Sequence, residues 1–166
     1  MLDSKLLKRN VYPASVWRNP VHFLAFGLGS GAAPYAPGTF GTLAAVPIYL
    51  LLMTLPLWAY LGVVLFMLLI GIWLCDVTSR DLGVHDHSGI VWDEFVGYLI
   101  TMMAAPPGWL WIIGGFFLFR FYDVVKPWPV RVADRKVGGG WGIMLDDILA
   151  GVYAWLTLQV VVYTMM

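Results

Sequence analysis

The sequence predicts an all-α fold: a polytopic membrane helical bundle of about four to five transmembrane or re-entrant helices, with polar loops on the cytosolic face. Three observations predict it. The 166-residue chain is 60% hydrophobic and only 12% charged, where a soluble domain carries about 25% charged residues. Its apolar residues come in long uncharged runs punctuated by Pro and Gly. Its charges collect between those runs instead of alternating along them.

The elements follow in order. Residues 1–20 hold Lys5, Lys8, Arg9 and Arg18 but no apolar core, so they read as a cytosolic leader and not a cleavable signal. Residues 21–166 read as a single membrane-embedded domain. The run 42–57, with Pro47 near its start, either spans or dips in. The run 59–75 is free of charge and with its flanks approaches the ~20 residues of a spanning helix. Pro106-Pro107-Gly108 divides two shorter runs, and two prolines with a glycine rarely continue a helix. A hairpin of helices over 91–106 and 108–122 is expected there. The run 148–166 predicts the last helix, opened by Asp146 and Asp147. Cys75 is the single cysteine, so no internal disulfide forms, and a buried structural thiol is expected.

Threading these runs through a bilayer puts every Lys and Arg on one side or at its boundary. The two outer turns, near Pro56 and Pro106, hold none, in keeping with the positive-inside rule. Trp58, Trp109 and Trp111 flank those turns as interface aromatics. All the acidic groups then land on the cytosolic face: Asp76/Asp81/Asp86, Asp93-Glu94, Asp123, Asp134 and Asp146-Asp147. Charge is costly in an apolar setting, so such residues face a protein interior or an aqueous site. Net charge is zero, so the total points to no nucleic acid, and no obligate protein partner is evident.

Four constellations carry chemistry. Gly27-Leu-Gly-Ser30-Gly31 and Pro37-Gly-Thr39-Phe-Gly-Thr42 read either as a phosphate cradle with hydroxyl donors or as a turn with capping threonines. His85-Asp86-His87 has no third histidine nearby, so zinc is disfavoured. The Asp93-Glu94 pair after it suits Mg²⁺, which prefers oxygen ligands. Arg120 and Asp123 share a helix face at i,i+3, and Arg120 with Lys126 could hold a phosphate. Arg131, Arg135 and Lys136 fit a juxtamembrane basic segment. Last, a loop Gly138-Gly-Gly-Trp-Gly142 is expected to deliver Asp146 and Asp147 to a helix start. Asp146 reads equally as an N-cap, but one cap needs one carboxylate. Adjacent carboxylates repel, and a divalent cation removes that cost. Asp3 and Asp81 have no motif role.

Several phosphatase and transferase signatures are missing. Cys75 and Arg80 are one residue too close for the cysteine-phosphatase loop, and neither D-x-D-x-T/V nor G-x-S-x-G occurs. In order along the chain, Gly29-Ser-Gly31 with 37–42, His85-Asp-His87, Val91-Trp-Asp-Glu-Phe-Val-Gly97, Arg120-Phe-Tyr-Asp-Val-Val-Lys-Pro-Trp-Pro129 and Gly142-Ile-Met-Leu-Asp-Asp-Ile-Leu-Ala-Gly151 closely resemble the phosphatidylglycerophosphatase A family.

The resemblance covers about Phe26 to Gly151. It implies a multi-pass protein of the bacterial inner membrane that uses Mg²⁺ to hydrolyse phosphatidylglycerophosphate to phosphatidylglycerol and phosphate. On that footing Asp93, Glu94, Asp123, Asp146 and Asp147 are expected as Mg²⁺ ligands or the base that orients water. Arg120, Lys126, Thr39, Ser30, His85 and His87 are expected around the substrate phosphate. Water attack is the expected route, since no motif singles out a protein nucleophile. The rival class is a divalent-cation or proton-coupled transporter. Transporters place such carboxylates near the midplane on broken helices, not at one face.

Overall fold

The computed structural model describes residues 13–84, 86–128, 130 and 137–165. Lys5, Lys8, Arg9, His85, Arg131, Asp134, Arg135 and Lys136 lie outside the described residues. Every regular element among the described residues is helical. The helices are α1 (Pro20–Ala25), α2 (Pro37–Leu52), α3 (Leu57–Leu82), α4 (Trp92–Thr101), α5 (Trp109–Val125) and α6 (Gly139–Met165). Short 3₁₀ turns occupy Ala14–Trp17 and Ser30–Ala32.

Local chemistry sets the boundaries. Asn19 caps α1 by accepting from the Val21 N–H at 2.9 Å, and Pro20 fills the first helical position. Pro37 does the same for α2, which therefore begins at 37 and not at 42. Helix α3 runs on past Cys75 to Leu82, because its last polar turns find partners. Asp76 pairs with Arg80 at i,i+4, and Asp81 reaches His22 on α1 at 3.0 Å. Gly83, at φ +65°, then ends it in the left-handed conformation that favours glycine.

Helix α4 stops at Thr101, short of the expected 106. Its 10 residues span only about 15 Å, half a hydrocarbon core. Phe95, Val96, Tyr98 and Leu99 are all buried, so α4 is the central helix of the bundle. It packs on α2, α3, α5 and α6. Tyr60 donates to the Leu99 carbonyl at 2.5 Å, and the Trp92 indole donates to Met67 O at 3.0 Å.

Helix α6 departs most from expectation. It begins at Gly139, so Gly139, Gly140 and Gly142 lie in its first turn and not in a loop. Gly140 lies against the Ile72 carbonyl of α3, where a Cβ has no room, and its N–H donates to Asp76 Oδ1 at 3.3 Å. Asp146 and Asp147 are therefore inside the helix, with no acidic residue in its first turn. The N-cap reading of Asp146 is overturned.

Helices α3 and α6 are long and apolar enough to cross a membrane, with 26 and 27 residues. Only 28% and 22% of their apolar windows is buried within the protein. Cys75 is a buried free thiol, as expected.

Candidate functional site

The site forms where α4 and α6 cross. Gly97 and Gly151 meet there. A Cβ on Gly151 would stand 2.5 Å from the Gly97 carbonyl oxygen, and one on Gly97 would stand 2.9 Å from Asp147 O. Thr101 fastens the crossing by donating to Gly97 O at 3.0 Å and lying 3.4 Å from Gly151 O. One helical turn before each glycine sit Asp93 and Asp147. The crossing therefore brings the two carboxylates together.

Carboxylate oxygens of Asp93, Glu94 and Asp147 all lie within 4.8 Å of one another. Asp93 and Asp147 are 9% and 3% exposed, so little water reaches them. Asp93 Oδ1, Glu94 Oε2 and Asp147 Oδ2 are buried without a hydrogen-bond partner among the described residues. Buried polar atoms are nearly always satisfied, so an orphaned oxygen on each of three converging carboxylates requires an explanation. A hard divalent cation with oxygen ligands is the group whose chemistry fits this donor set.

Two further carboxylates border the trio, each held by its own cation. Asp123 Oδ2 pairs with Arg120 Nη1 at 2.6 Å. Asp146 Oδ2 pairs with Lys126 Nζ at 2.6 Å. Arg120 also reaches Glu94 Oε1 at 3.8 Å, so its guanidinium links the two groups. Asp123 neighbours Asp147, and Asp146 is within electrostatic reach of Asp93. Lys126 is aimed by an unusual backbone: φ is +45° at the end of α5, directly before Pro127. Such strain in a non-glycine residue is characteristic of functional positions.

The start of α2 closes one side. A Cβ on Gly38 would collide with Glu94 Oε1 and stand 3.0 Å from Arg120 Nη1. Glycine there lets the first turn of α2 approach the charged cluster. Thr39 follows on the same turn, half-buried. Thr42 is not a free donor, because its hydroxyl bonds Gly38 O at 2.9 Å.

The remaining expected ligands divide. Ser30 donates to Gly27 O at 2.8 Å and holds its own turn together. His87 stacks near Phe26 with ring centroids 5.5 Å apart, and its Nδ1 accepts from the Gly89 N–H at 3.0 Å. Burial pushes the His87 pKa down, partly offset by Asp86. Both residues thus have structural partners, and neither shows a contact to the carboxylates among the described residues. His85 lies outside the described residues. Gly97 and Gly151 are the positions that sequence reasoning passed over. Their signal was present: each ends a motif holding site residues. Asp81, set aside for want of a motif, is the partner of the buried His22.

Fold and site together define an all-α protein with two membrane-length helices around a buried carboxylate cluster suited to a hard cation. Residues 23–162 match the family model described as Phosphatidylglycerophosphatase A. A protein of that name from Escherichia coli K12 is 54% identical over 135 residues, 81% of this chain and 78% of its own length. One of the same name from Haemophilus influenzae is 46% identical over 155 residues, 89% of this chain and 92% of its own. A Bacteroides thetaiotaomicron protein named Putative phosphatidylinositol-3-phosphatase is 41% identical over 142 residues, 81% of this chain and 88% of its own. No solved structure matches. The chain belongs to the phosphatidylglycerophosphatase A family.

Proposed function

We propose that this chain is a Mg²⁺-dependent lipid phosphatase that hydrolyses the terminal phosphomonoester of phosphatidylglycerophosphate, releasing phosphatidylglycerol and inorganic phosphate. The observation that carries the reading is the convergence of Asp93, Glu94 and Asp147, with an orphaned buried oxygen on each. Family membership and the names of the E. coli and H. influenzae relatives support the substrate.

The residues take distinct parts. Asp93, Glu94 and Asp147 would hold Mg²⁺, with Asp123 and Asp146 as further ligands or as the base that takes a proton from water. When bound, the ion would polarise a phosphoryl oxygen and lower the barrier to attack by water. Arg120 and Lys126 would meet the phosphate, Arg120 through its planar fork and Lys126 as a point charge. Both are already paired to carboxylates, which fixes their direction before substrate arrives. The first turn of α2, with Gly38 and Thr39, would lie beside the phosphate. The water-poor setting strengthens each of these charge interactions.

The location proposed is the bacterial inner membrane, with four to five helices crossing or dipping in and the site facing the cytosol. Chain direction supports this. Helices α2 and α4 begin, and α5 ends, around the cluster. The turns after α2 and α4 share a small cavity of about 150 Å³ away from it, lined by Met53, Leu55 and Ala104 among others. Four helices of alternating direction, counting α3, account for that arrangement.

The test is phosphate release by the purified protein in mixed micelles, with and without Mg²⁺. The substrates are phosphatidylglycerophosphate, phosphatidic acid, phosphatidylinositol 3-phosphate and a soluble phosphomonoester. Release from phosphatidylglycerophosphate in the presence of Mg²⁺ is expected to be fastest. No release with Mg²⁺ present would refute the reading. Preference for the inositol lipid would reassign the head group.

A further inference from the structure

We infer that the seam between α2 and α5 is the track in which an acyl chain of the lipid substrate lies while its phosphate is at Arg120; this rests on the lipid-phosphatase reading. Arg120 has two surroundings. Its guanidinium is inside the acidic cluster, 2.6 Å from Asp123 and 3.8 Å from Glu94. The residue also lines an apolar groove of about 520 Å³ on α5, with Phe117, Leu118, Phe121, Val124 and Val125. Among the described residues Arg120 is the one charged member of that lining. Arg120 thus joins an otherwise apolar described lining to the acidic cluster.

A second groove, of about 230 Å³, lies between α2 and α5 and is lined by Leu43, Val46, Ile113, Phe116 and Trp109 among others. Phe117 lines both, so the two share a wall. The track is anchored to the site from both helices. Arg120 comes from α5, and Gly38 at the start of α2 lies against the same guanidinium. From Arg120 to Trp109, α5 rises about 16 Å. That is close to half a hydrocarbon core of about 30 Å, the depth one leaflet's chains occupy. A phosphate at one end and an apolar track of leaflet depth match the two ends of a lipid phosphomonoester.

The driving force is particular to a membrane. Lipid tails are as apolar as leucine, so moving a chain from bilayer to seam brings no hydrophobic gain. The seam would act by shape, holding the chain so that the head group reaches Arg120. Filling it should therefore penalise long-chain substrates and spare short-chain ones, which need no track.

The experiment compares kcat/KM for dioleoyl phosphatidylglycerophosphate and for its soluble dihexanoyl analogue. Val46→Trp and Ile113→Trp fill the seam. Leu65→Trp, at an exposed position on α3, which packs on α1, α4 and α6, is the control. The long-to-short ratio is expected to fall about fivefold or more in the two seam variants, the scale of a forced steric overlap. It should stay unchanged in the control. An unchanged ratio in both seam variants, or an equal fall in Leu65→Trp, overturns the proposal. Photolabelling of the unmodified protein with a diazirine-acyl analogue of the same lipid gives a second reading. Adducts are expected on peptides from 37–52 and 109–125, removed by excess unlabelled substrate. Adducts spread evenly over α3 and α6, or insensitive to that competitor, contradict it. A wild-type protein that cleaves neither substrate sinks the lipid-phosphatase reading itself. An active protein with an unchanged ratio sinks the seam alone.

Discussion

Gly151→Ala separates packing from chemistry. The new Cβ would stand 2.5 Å from Gly97 O and 3.2 Å from Gly97 C and Cα, where ordinary contact begins near 3.4 Å. All three atoms belong to the backbone, so no side chain can swing aside. The helices must part by the difference, about 0.9 Å, at a point one turn from Asp93 and Asp147. Overpacking of this kind costs about 1–3 kcal/mol. Alanine recovers roughly 0.8–1.0 kcal/mol of helix propensity over glycine. The net loss of stability is then about 0–2 kcal/mol, which a bundle of this size tolerates. Activity should suffer far more, since a misplacement of about 1 Å can cost around 100-fold in rate. The assay pairs Mg²⁺-dependent phosphate release with the thermal midpoint in detergent. Gly114→Ala is the control, because nothing lies within 4 Å of its Cβ. Turnover within about twofold of wild type in Gly151→Ala would refute the claim that the glycine contact sets the site.

Asp147→Asn keeps the shape and removes one charge from the trio. Mg²⁺-dependent turnover should drop by about 10- to 100-fold, with the activating Mg²⁺ concentration raised, as read from a metal titration of the rate. Arg120→Lys retains charge but loses the planar fork that touches both Asp123 and Glu94. Its kcat/KM should fall by about tenfold or more, and an unaffected rate would remove Arg120 from the phosphate site. His87 gives a pH prediction whose sign follows from burial. Burial holds its folded pKa below the ordinary histidine value of about 6.5, so the unfolded loop takes a proton first. Its stabilising contribution is intact above the unfolded value and is lost as pH falls through it toward the folded pKa. Protonation also removes the Nδ1 acceptor used by the Gly89 N–H. Proteolysis of the 83–91 loop should therefore quicken below about pH 6.5 in wild type and become insensitive to pH in His87→Gln.

How much was legible depended on which force decided each feature. The core of α3 was plain, because a charge-free run has few alternatives. Its last turns were hidden, because Asp76, Arg80 and Asp81 read as loop until their partners are known. The start of α6 was misread for a related reason. Three consecutive glycines favour a loop locally, yet Gly139 and Gly140 open the helix, with Gly140 seated against the Ile72 carbonyl and bonded to Asp76 on α3. Membership of the acidic cluster showed through, since carboxylates stand out in an apolar chain. Its division did not. That Asp93, Glu94 and Asp147 converge while Asp123 and Asp146 are neutralised by Arg120 and Lys126 depends on a helix crossing. The crossing rests on Gly97 and Gly151, residues with no side chain to advertise a role. Ser30 and His87, expected around the phosphate, each have a partner in their own turn that the sequence did not announce.

The central claim is that Asp93, Glu94 and Asp147 form a divalent-cation site. The most direct test is titration of the purified protein with Mn²⁺, following free ion by electron paramagnetic resonance. Wild type should bind Mn²⁺ and release it to added Mg²⁺, while Asp147→Asn should bind far more weakly at unchanged helicity. Equal binding by the two proteins, or no binding by wild type, would contradict the account.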